Sequence, residues 1–249
     1  MLDYIWTQAP NDYPTSDGKP VAETDIHREL MFESIDTLKN YFKDPPLVYV
    51  TGNILWFYQP GDRRRHISPD LMVCFGIPKG VRDNYLQWQE VCPQVVIEFT
   101  SKSTRTNDLG SKRERYETLG VEEYYLFDPR QEYLKPRFRT FHRHHGRFVR
   151  VLGETVHSNM LGLELLVIDE TLRFRDPVTG QILLTTANSE RARADREAAR
   201  ANQEAALRVQ EGVRADQEAT RANQEAFLRK EAERQLAEMR ALLEQREDG

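Results

Sequence analysis

Two acidic residues lie where strand-like apolar runs call for hydrophobic side chains. Asp70 directly precedes the run LMVCF, and Glu98 lies inside the run VVIEFTS. An ionised carboxylate beside a core strand is unfavourable unless it is paired or binds a metal. Cleavage of a phosphodiester with a divalent metal requires carboxylates that hold the ion and a cation that stabilises the developing negative charge. The two acids therefore predict a divalent-metal site.

The run around Glu98 also indicates which atoms point toward that site. Side chains alternate along a strand, so Glu98 and Thr100 share one face while Ile97 and Phe99 point to the other. The backbone carbonyl of Phe99 can then offer a further oxygen ligand. Because Asp70 opens one strand and Glu98 lies near the end of another, we expect both acids to converge on one edge of a sheet.

A polar stripe on the next helix supplies a cation. Asp108 fits an N-cap for a helix that ends at Leu119, with Gly120 as its C-terminal stop. Asp108, Lys112 and Tyr116 are spaced i, i+4 and i+8 and lie on one side of this helix. Lys112 can reach the sheet from there. Asp108 is either the cap or a further ligand, with the cap favoured.

The elements that position these residues follow from hydrophobic periodicity. Thr24 caps a helix from Asp25 to about Phe42, and Pro45 and Pro46 end it. Strands are predicted at Leu47–Val50, Asn53–Gln59, Leu71–Phe75, Val95–Thr100 and Tyr124–Phe127, with a polar turn at Pro60–Arg65 and hairpins between residues 131 and 175. This order indicates an α/β or α+β fold.

A basic segment with interleaved aromatics follows the last of these strands. The segment KPRFRTFHRHHGRFVR, from Lys135 to Arg150, contains no acid. Its candidate nucleic-acid contacts are Lys135, Arg137, Arg139, Arg143 and Arg147. A basic hairpin with aromatics suits a phosphate backbone. The alternative is a solvated hairpin face without a ligand.

The last quarter of the chain has a different composition. RADREAARANQEAALR at Arg193–Arg208 recurs as RADQEATRANQEAFLR at Arg214–Arg229, a shift of 214 − 193 = 21 residues, or three heptads. Equivalent residues thus return to one face of a supercoiled helix. The Ala-rich seam buries little area, so residues 187–249 predict a weak coiled coil or a single helix stabilised by charge pairs.

Length and composition limit the remaining possibilities. The 249 residues provide a domain of roughly 150 to 200 residues plus an extension. We predict an irregular arm at 1–22, a domain at 23–186 and a helical tail at 187–249. The net charge of −5 argues against a generally basic surface but leaves room for a local basic groove. No apolar run of about 18 residues is present, which predicts a soluble, cytoplasmic protein without a membrane partner.

Three segments together resemble a known family. These are SPDLMVCFG, VVIEFTSKSTRTNDLGSKRERYETLGVEEYYLFDP and LRFRDPVTGQ. They are similar to the Uma-two (Uma2) family of the PD-(D/E)XK nuclease superfamily, over about residues 21 to 185. The resemblance implies a restriction-endonuclease-like core, a mixed sheet flanked by helices, that cleaves DNA with Mg²⁺ or Mn²⁺. It also implies that Asp70 and Glu98 hold the metal and that Lys112 is the catalytic cation.

One departure from the superfamily pattern leaves two residues competing for that role. The usual lysine two residues after the second acid is Thr100 here. In the resembling family the lysine is thought to have moved to the following helix, which favours Lys112. Lys102 competes with it, because a strand extended by two residues would keep Lys102 on the face of Glu98.

The resemblance also adds supporting candidates and leaves a second function open. His27 and Glu23, near the first helix, are candidates to complete the site, since related folds often use an acid there. With the strand lysine missing, the alternative to an endonuclease is an inactive nuclease fold that binds nucleic acid or assembles through its tail. A homodimer or higher oligomer is the expected assembly.

Overall fold

The computed structural model describes residues 13–16, 24–101 and 104–247. Most of the predicted arm at 1–22 lies outside this range, and so do the candidates Glu23 and Lys102. The chain divides into two compact units, Met1–Ser189 and Glu190–Gly249. The residues proposed for chemistry lie in the first unit.

The first unit is built on mixed β-sheets. Its strands are β1 (Val48–Thr51), β2 (Trp56–Phe57), β3 (His66–Ile67), β4 (Leu71–Phe75), β5 (Tyr85–Leu86), β6 (Val95–Phe99), β7 (Glu123–Phe127), β8 (Phe138–His144), β9 (Arg147–Val151), β10 (Thr155–Ser158), β11 (Leu163–Ile168) and β12 (Thr171–Arg175). The largest sheet has the order β1-β4-β6-β7-β8-β9, in which β6 and β7 are parallel and the other neighbours antiparallel. Two three-stranded sheets have the orders β10-β11-β12 and β3-β2-β5.

Helices cover both faces of the six-stranded sheet. The helical segments of the first unit are α1 (Asp25–Tyr41), α2 (Arg105–Asn107), a π-helical segment (Asp108–Lys112) and α3 (Arg113–Leu119), and the last helix of the chain is α4 (Thr186–Glu247). Met31 and Leu38 of α1 pack with Ile97 and Phe99 on one face. Tyr116 of α3 packs in a second cluster, which includes Val96 and Tyr124, on the other. Because both faces are buried, β6 and β7 are nearly continuous apolar runs, and Glu98 stands out among them.

The ends of the helices test the capping predictions. The Oγ1 of Thr24 accepts a hydrogen bond from the His27 backbone N–H, and Gly120 adopts the left-handed conformation at φ 101° after α3, so both predictions are confirmed. The prediction that Asp108 caps a helix is wrong. The helical run begins earlier, at Arg105, and Asp108 is the first residue of the π-helical segment inside it.

The short strands differ most from the sequence prediction. The strand predicted at Asn53–Gln59 is reduced to Trp56–Phe57, which pairs with His66–Ile67 on one side and with Tyr85–Leu86 on the other. Neither partner strand was predicted. Two-residue strands carry too little alternation to be read from sequence, and only their pairing in three dimensions defines them.

The tail is one helix of 62 residues. It would be about 93 Å long at 1.5 Å per residue. Within it, Arg–Glu pairs at i, i+4 recur with the spacing of the sequence repeat, among them Arg193–Glu197, Arg200–Glu204, Arg214–Glu218 and Arg221–Glu225. Each pair stabilises the helix by only a few tenths of a kcal/mol. Among the described residues, no helix is long and apolar enough to cross a membrane.

Candidate active site

Strand pairing brings the two predicted acids together. Strand β4 runs antiparallel to β6, with Leu71 opposite Ile97, so the same register places Asp70 beside Glu98. The Oδ2 of Asp70 accepts a hydrogen bond of 2.8 Å from the backbone N–H of Phe99. The predicted convergence on one sheet edge is therefore what the structure shows.

Glu98 is buried and held by two side chains of the polar stripe. Its side chain is 1% exposed. The Nζ of Lys112 lies 2.8 Å from Oε2, and the hydroxyl of Tyr116 donates to Oε1 at 2.5 Å. Tyr116 was recognised only as part of the stripe. Its contact with the acid depends on how α3 docks on the sheet.

Lys112 also lies beside a third carboxylate, Asp108. The Nζ of Lys112 is 3.5 Å from Oδ1 of Asp108 and 3.5 Å from the carbonyl oxygen of Ser68. The Asp108 side chain is 1% exposed, and within the described part of the chain neither carboxylate oxygen has a hydrogen-bond partner. A π-helical turn is often found at functional sites. Here it places Asp108 and Lys112 over the sheet together.

His27 completes the group from the opposite side. Its Nε2 lies 3.1 Å from Oδ2 of Asp70, and its side chain is 5% exposed. The first turn of α1, fixed by the Thr24 cap, positions this ring. The ring also packs edge-on to Phe99, with 6.0 Å between centroids. The structure thus brings His27 into the site, while Glu23 and Lys102 lie outside the described residues.

The charges of this cluster oppose one another. Burial raises the pKa of Glu98 well above its usual range, and neighbouring Asp70 and Asp108 add to the effect, although the Lys112 charge opposes it. Burial also raises the pKa of Asp108. For Asp70 burial is outweighed by the hydrogen bond from His27 and the charge of Lys112, so its pKa is lowered. Burial lowers the pKa of Lys112, but the charges of Glu98, Asp70 and Asp108 raise it more, so the pKa of Lys112 lies above its usual value.

The negative charge of this cluster suits a divalent cation held by one or two carboxylates. Three carboxylates surround one lysine, so full ionisation leaves two negative charges for a bound ion to neutralise. In the part of the chain that the structure describes, no three His, Cys, Asp or Glu side chains are placed to hold one ion. Mg²⁺ tolerates such a set, since it keeps several waters and commonly takes one or two carboxylates.

Gly52 supports Asp70 at a contact that sequence reasoning missed. A Cβ atom at Gly52 would lie 1.9 Å from the carbonyl oxygen of Asp70 and 2.7 Å from Cδ1 of Ile35. The next residue, Asn53, donates its backbone N–H to the Pro69 carbonyl at 2.8 Å. The sequence signal is only one glycine after a strand, and the close backbone approach is visible only in the fold.

The basic hairpin exists, but its cations have different surroundings. Strands β8 and β9 form it. Arg143 and Arg147 contact Glu117 of α3, through the carbonyl oxygen at 2.5 Å and the carboxylate at 2.9 Å respectively. Arg137 lies 3.6 Å from Glu170. Three of the five predicted cations therefore make contacts within the protein, whether or not they also contact a nucleic acid. Lys135 is exposed.

Arg139 is the hairpin cation that the strand register aligns with Glu98. Register places Glu98 beside Leu126 and Leu126 beside Arg139, so the three form one row across β6, β7 and β8 on one sheet face. Two strand spacings separate Glu98 from Arg139, or about 10 Å. The Arg139 Nη2 donates to the Lys135 carbonyl at 3.3 Å, and its Nε is buried without a partner among the described residues.

Glu123 is a buried acid outside this cluster, and its role is structural. Its Oε2 accepts hydrogen bonds from the hydroxyls of Tyr125, at 2.8 Å, and Ser158, and its Oε1 accepts the Met160 backbone N–H at 3.1 Å. These bonds link β7 to the β10–β11 region. A buried acid with all these donors has its hydrogen-bonding capacity satisfied within the fold.

Comparison with known proteins identifies a family. No curated protein matches the chain. A crystal structure described as a putative nuclease belonging to DUF820 from Anabaena variabilis matches at 15% identity with a TM-score of 0.43, covering 57% of this chain and 76% of that one. The model of the Uma2 family, described as "Putative restriction endonuclease", matches residues 4–167. The chain belongs to the Uma2 family.

Proposed function

We propose that this protein is a Mg²⁺-dependent DNA endonuclease whose site is the cluster of Asp70, Glu98, Asp108 and Lys112. The observation that carries the proposal is the placement of Lys112 Nζ 2.8 Å from Glu98 and 3.5 Å from Asp108. Lys112 thus supplies a cation beside Glu98 from the helical segment. The strand itself carries Thr100 at the position where the superfamily usually has a lysine. Membership in a family of nucleases supports a phosphodiester substrate.

Each residue of the cluster has a distinct role in this proposal. Asp70 and Glu98, with the Phe99 carbonyl, would hold the ion, and Asp108 would bind a water or contribute a further oxygen. When bound, Mg²⁺ or Mn²⁺ supplies Lewis-acid chemistry and a more acidic water. Lys112 stabilises negative charge that develops on the scissile phosphate. His27 and Tyr116 are positioning residues, since they hold Asp70 and Glu98 through hydrogen bonds.

Replacing Asp70 by Asn tests the proposal most directly. The change keeps the side-chain shape but removes the charge, so we expect plasmid nicking or cleavage with Mg²⁺ or Mn²⁺ to fall at least about 100-fold. Asp62→Asn, on the exposed turn before β3, is the matched control and should cleave like the unmodified protein. Unchanged cleavage by a folded Asp70→Asn protein would reject the assignment.

Arg139→Gln tests the hairpin. Because Arg139 lies in the row of Glu98, we expect the variant to bind duplex DNA more weakly and the slope of log K against log salt to fall by about 1. The measurement is fluorescence anisotropy with a labelled duplex from 50 to 200 mM salt, in Ca²⁺ to prevent turnover. Arg150→Gln, on the exposed edge strand, provides the comparison. Equal salt slopes for Arg139→Gln and the unmodified protein would assign Arg139 a structural role only.

We also propose that α4 associates with a second copy of the chain. Large apolar side chains are exposed along it, including Phe227 at 67% and Leu228 at 65%. Their burial at a helix–helix seam is favourable. We expect Phe227→Gln with Leu228→Gln to lower the mass measured by light scattering toward that of one chain. A monomeric unmodified protein would exclude self-association, and cleavage by the variant shows whether assembly is needed for activity.

A further inference from the structure

A basic cavity lies at the β1 edge of the six-stranded sheet. The proposed nuclease chemistry does not use the residues that line it. Its volume is about 500 Å³, within the range of small-molecule sites. The edge strand β1 lines it together with the C-terminal part of α1 and the loop at residues 79–82. Four cationic side chains lie around it, those of Lys39, Lys43, Lys79 and Arg82, and no acid is among the lining residues.

Arg82 is the buried cation of this cavity. Its side chain is 4% exposed, and its Nε lies 2.6 Å from Oε1 of Glu90. The guanidinium also stacks on the Tyr49 ring, with 4.0 Å from Cζ to the centroid. Its Nη2 donates to Glu90 and to the Pro78 carbonyl, but its Nη1 has no hydrogen-bond partner among the described residues. These contacts hold the guanidinium in the wall of the cavity.

The lysines add charge that the protein does not neutralise there. Lys79 is fixed by hydrogen bonds of 2.6 Å from its Nζ to the carbonyl oxygens of Phe42 and Lys43, at the end of α1. Lys39 and Lys43 are exposed. Among the described residues, the one ion pair that these four cations form is that of Arg82 with Glu90. The lining of the cavity is therefore positively charged.

We propose that this cavity binds the phosphate group of a small, nucleotide-sized organic phosphate. The guanidinium of Arg82 and the ammonium groups of Lys39 and Lys43 recognise the phosphate, since charge-assisted hydrogen bonds to phosphate are strong and arginine matches its geometry. The walls formed by Val48, Val50 and Val81 provide apolar surface for the organic part. The site is separate from the acidic cluster, and it does not depend on the proposed nuclease function.

Isothermal titration of the full chain tests the proposal with inorganic phosphate, AMP and ADP, and with adenosine as the phosphate-free control. We expect saturable binding of the three phosphates and none of adenosine. Lys39→Gln with Lys43→Gln should weaken binding about tenfold, and Arg82→Gln should abolish it. The exposed lysine pair keeps the test valid even if Arg82→Gln unfolds the loop. Lys230→Gln is the matched control for loss of a lysine and should bind normally.

Three outcomes would overturn the proposal. The first is no saturable binding of any phosphate probe. The second is phosphate binding that is unchanged in the double variant Lys39→Gln with Lys43→Gln. The third is a double variant, Lys39→Gln with Lys43→Gln, that binds duplex DNA more weakly but binds the phosphate probes normally. The two lysines would then contact a nucleic-acid backbone. Persistence of AMP binding in Asp70→Asn supports a site independent of the acidic cluster, whereas loss of AMP binding in that variant would overturn this independence.

Discussion

Replacing Lys112 by Met is expected to reduce Mg²⁺-dependent DNA cleavage at least about 100-fold, which is the cost of removing one well-placed group that stabilises charge in a transition state. The lysine is the only cation that the structure places within 4 Å of Glu98 and Asp108 among the described residues. Cleavage of supercoiled plasmid, followed over a range of Mg²⁺ concentrations, measures the effect.

Loss of Lys112 also leaves buried carboxylates unpaired, so folding must be measured separately. Removing one partner of a buried ion pair destabilises by about 3–5 kcal/mol, and circular dichroism with a thermal melt reports it. Lys112→Arg keeps the charge but changes the geometry. We expect it to fold and to cleave poorly. Lys230→Met on α4 is the control for an exposed lysine.

The same assay decides between the two candidate lysines. If Lys112→Met is folded and cleaves normally while Lys102→Met is inactive, Lys102 is the catalytic lysine and the assignment made here is wrong. If Lys112→Met, Lys102→Met and Asp70→Asn all cleave DNA as fast as the unmodified protein does, the activity does not come from this cluster. A folded unmodified protein without cleavage supports the alternative of an inactive nuclease fold.

Substitution of Gly52 by Ala is expected to lower stability as well as activity. The new Cβ would lie 1.9 Å from the Asp70 carbonyl oxygen, so the backbone at Asp70 must move. Overpacking of this kind costs about 1–3 kcal/mol of folding free energy. Displacement of a catalytic group by about 1 Å can reduce the rate about 100-fold. Urea unfolding and the plasmid assay measure the two consequences.

Gly110→Ala is the matched control for this change. Gly110 lies in the π-helical segment two residues before Lys112, and a Cβ there would meet nothing within 4 Å. We therefore expect Gly110→Ala to fold and cleave like the unmodified protein. If Gly52→Ala behaves as Gly110→Ala does, the backbone approach at Asp70 is relaxed in solution and does not control the site.

The parts of the fold that sequence could predict are those with strong local signals. The first helix, with its Thr24 cap, and the end of α3 at Gly120 follow from side-chain chemistry within a few residues. The strands at Leu71–Phe75 and Val95–Phe99 follow from uninterrupted apolar runs. The short strands β3 and β5 could not be predicted, since their only evidence is pairing with β2.

By itself, the sequence determined that Asp70 and Glu98 are the residues to suspect, because charged groups in or beside apolar runs are unfavourable without a partner. It also placed Lys112 on a helix stripe that can reach them, and the family resemblance implied its role as the cation. It also determined the helical tail, because heptad-spaced Arg, Glu and Ala favour a helix whatever surrounds them. Only the tertiary structure decided that Lys112 and Tyr116 contact Glu98, that His27 reaches Asp70 and that Gly52 supports it. These contacts join segments distant in sequence. Their energies depend on three-dimensional packing, which local pattern does not contain.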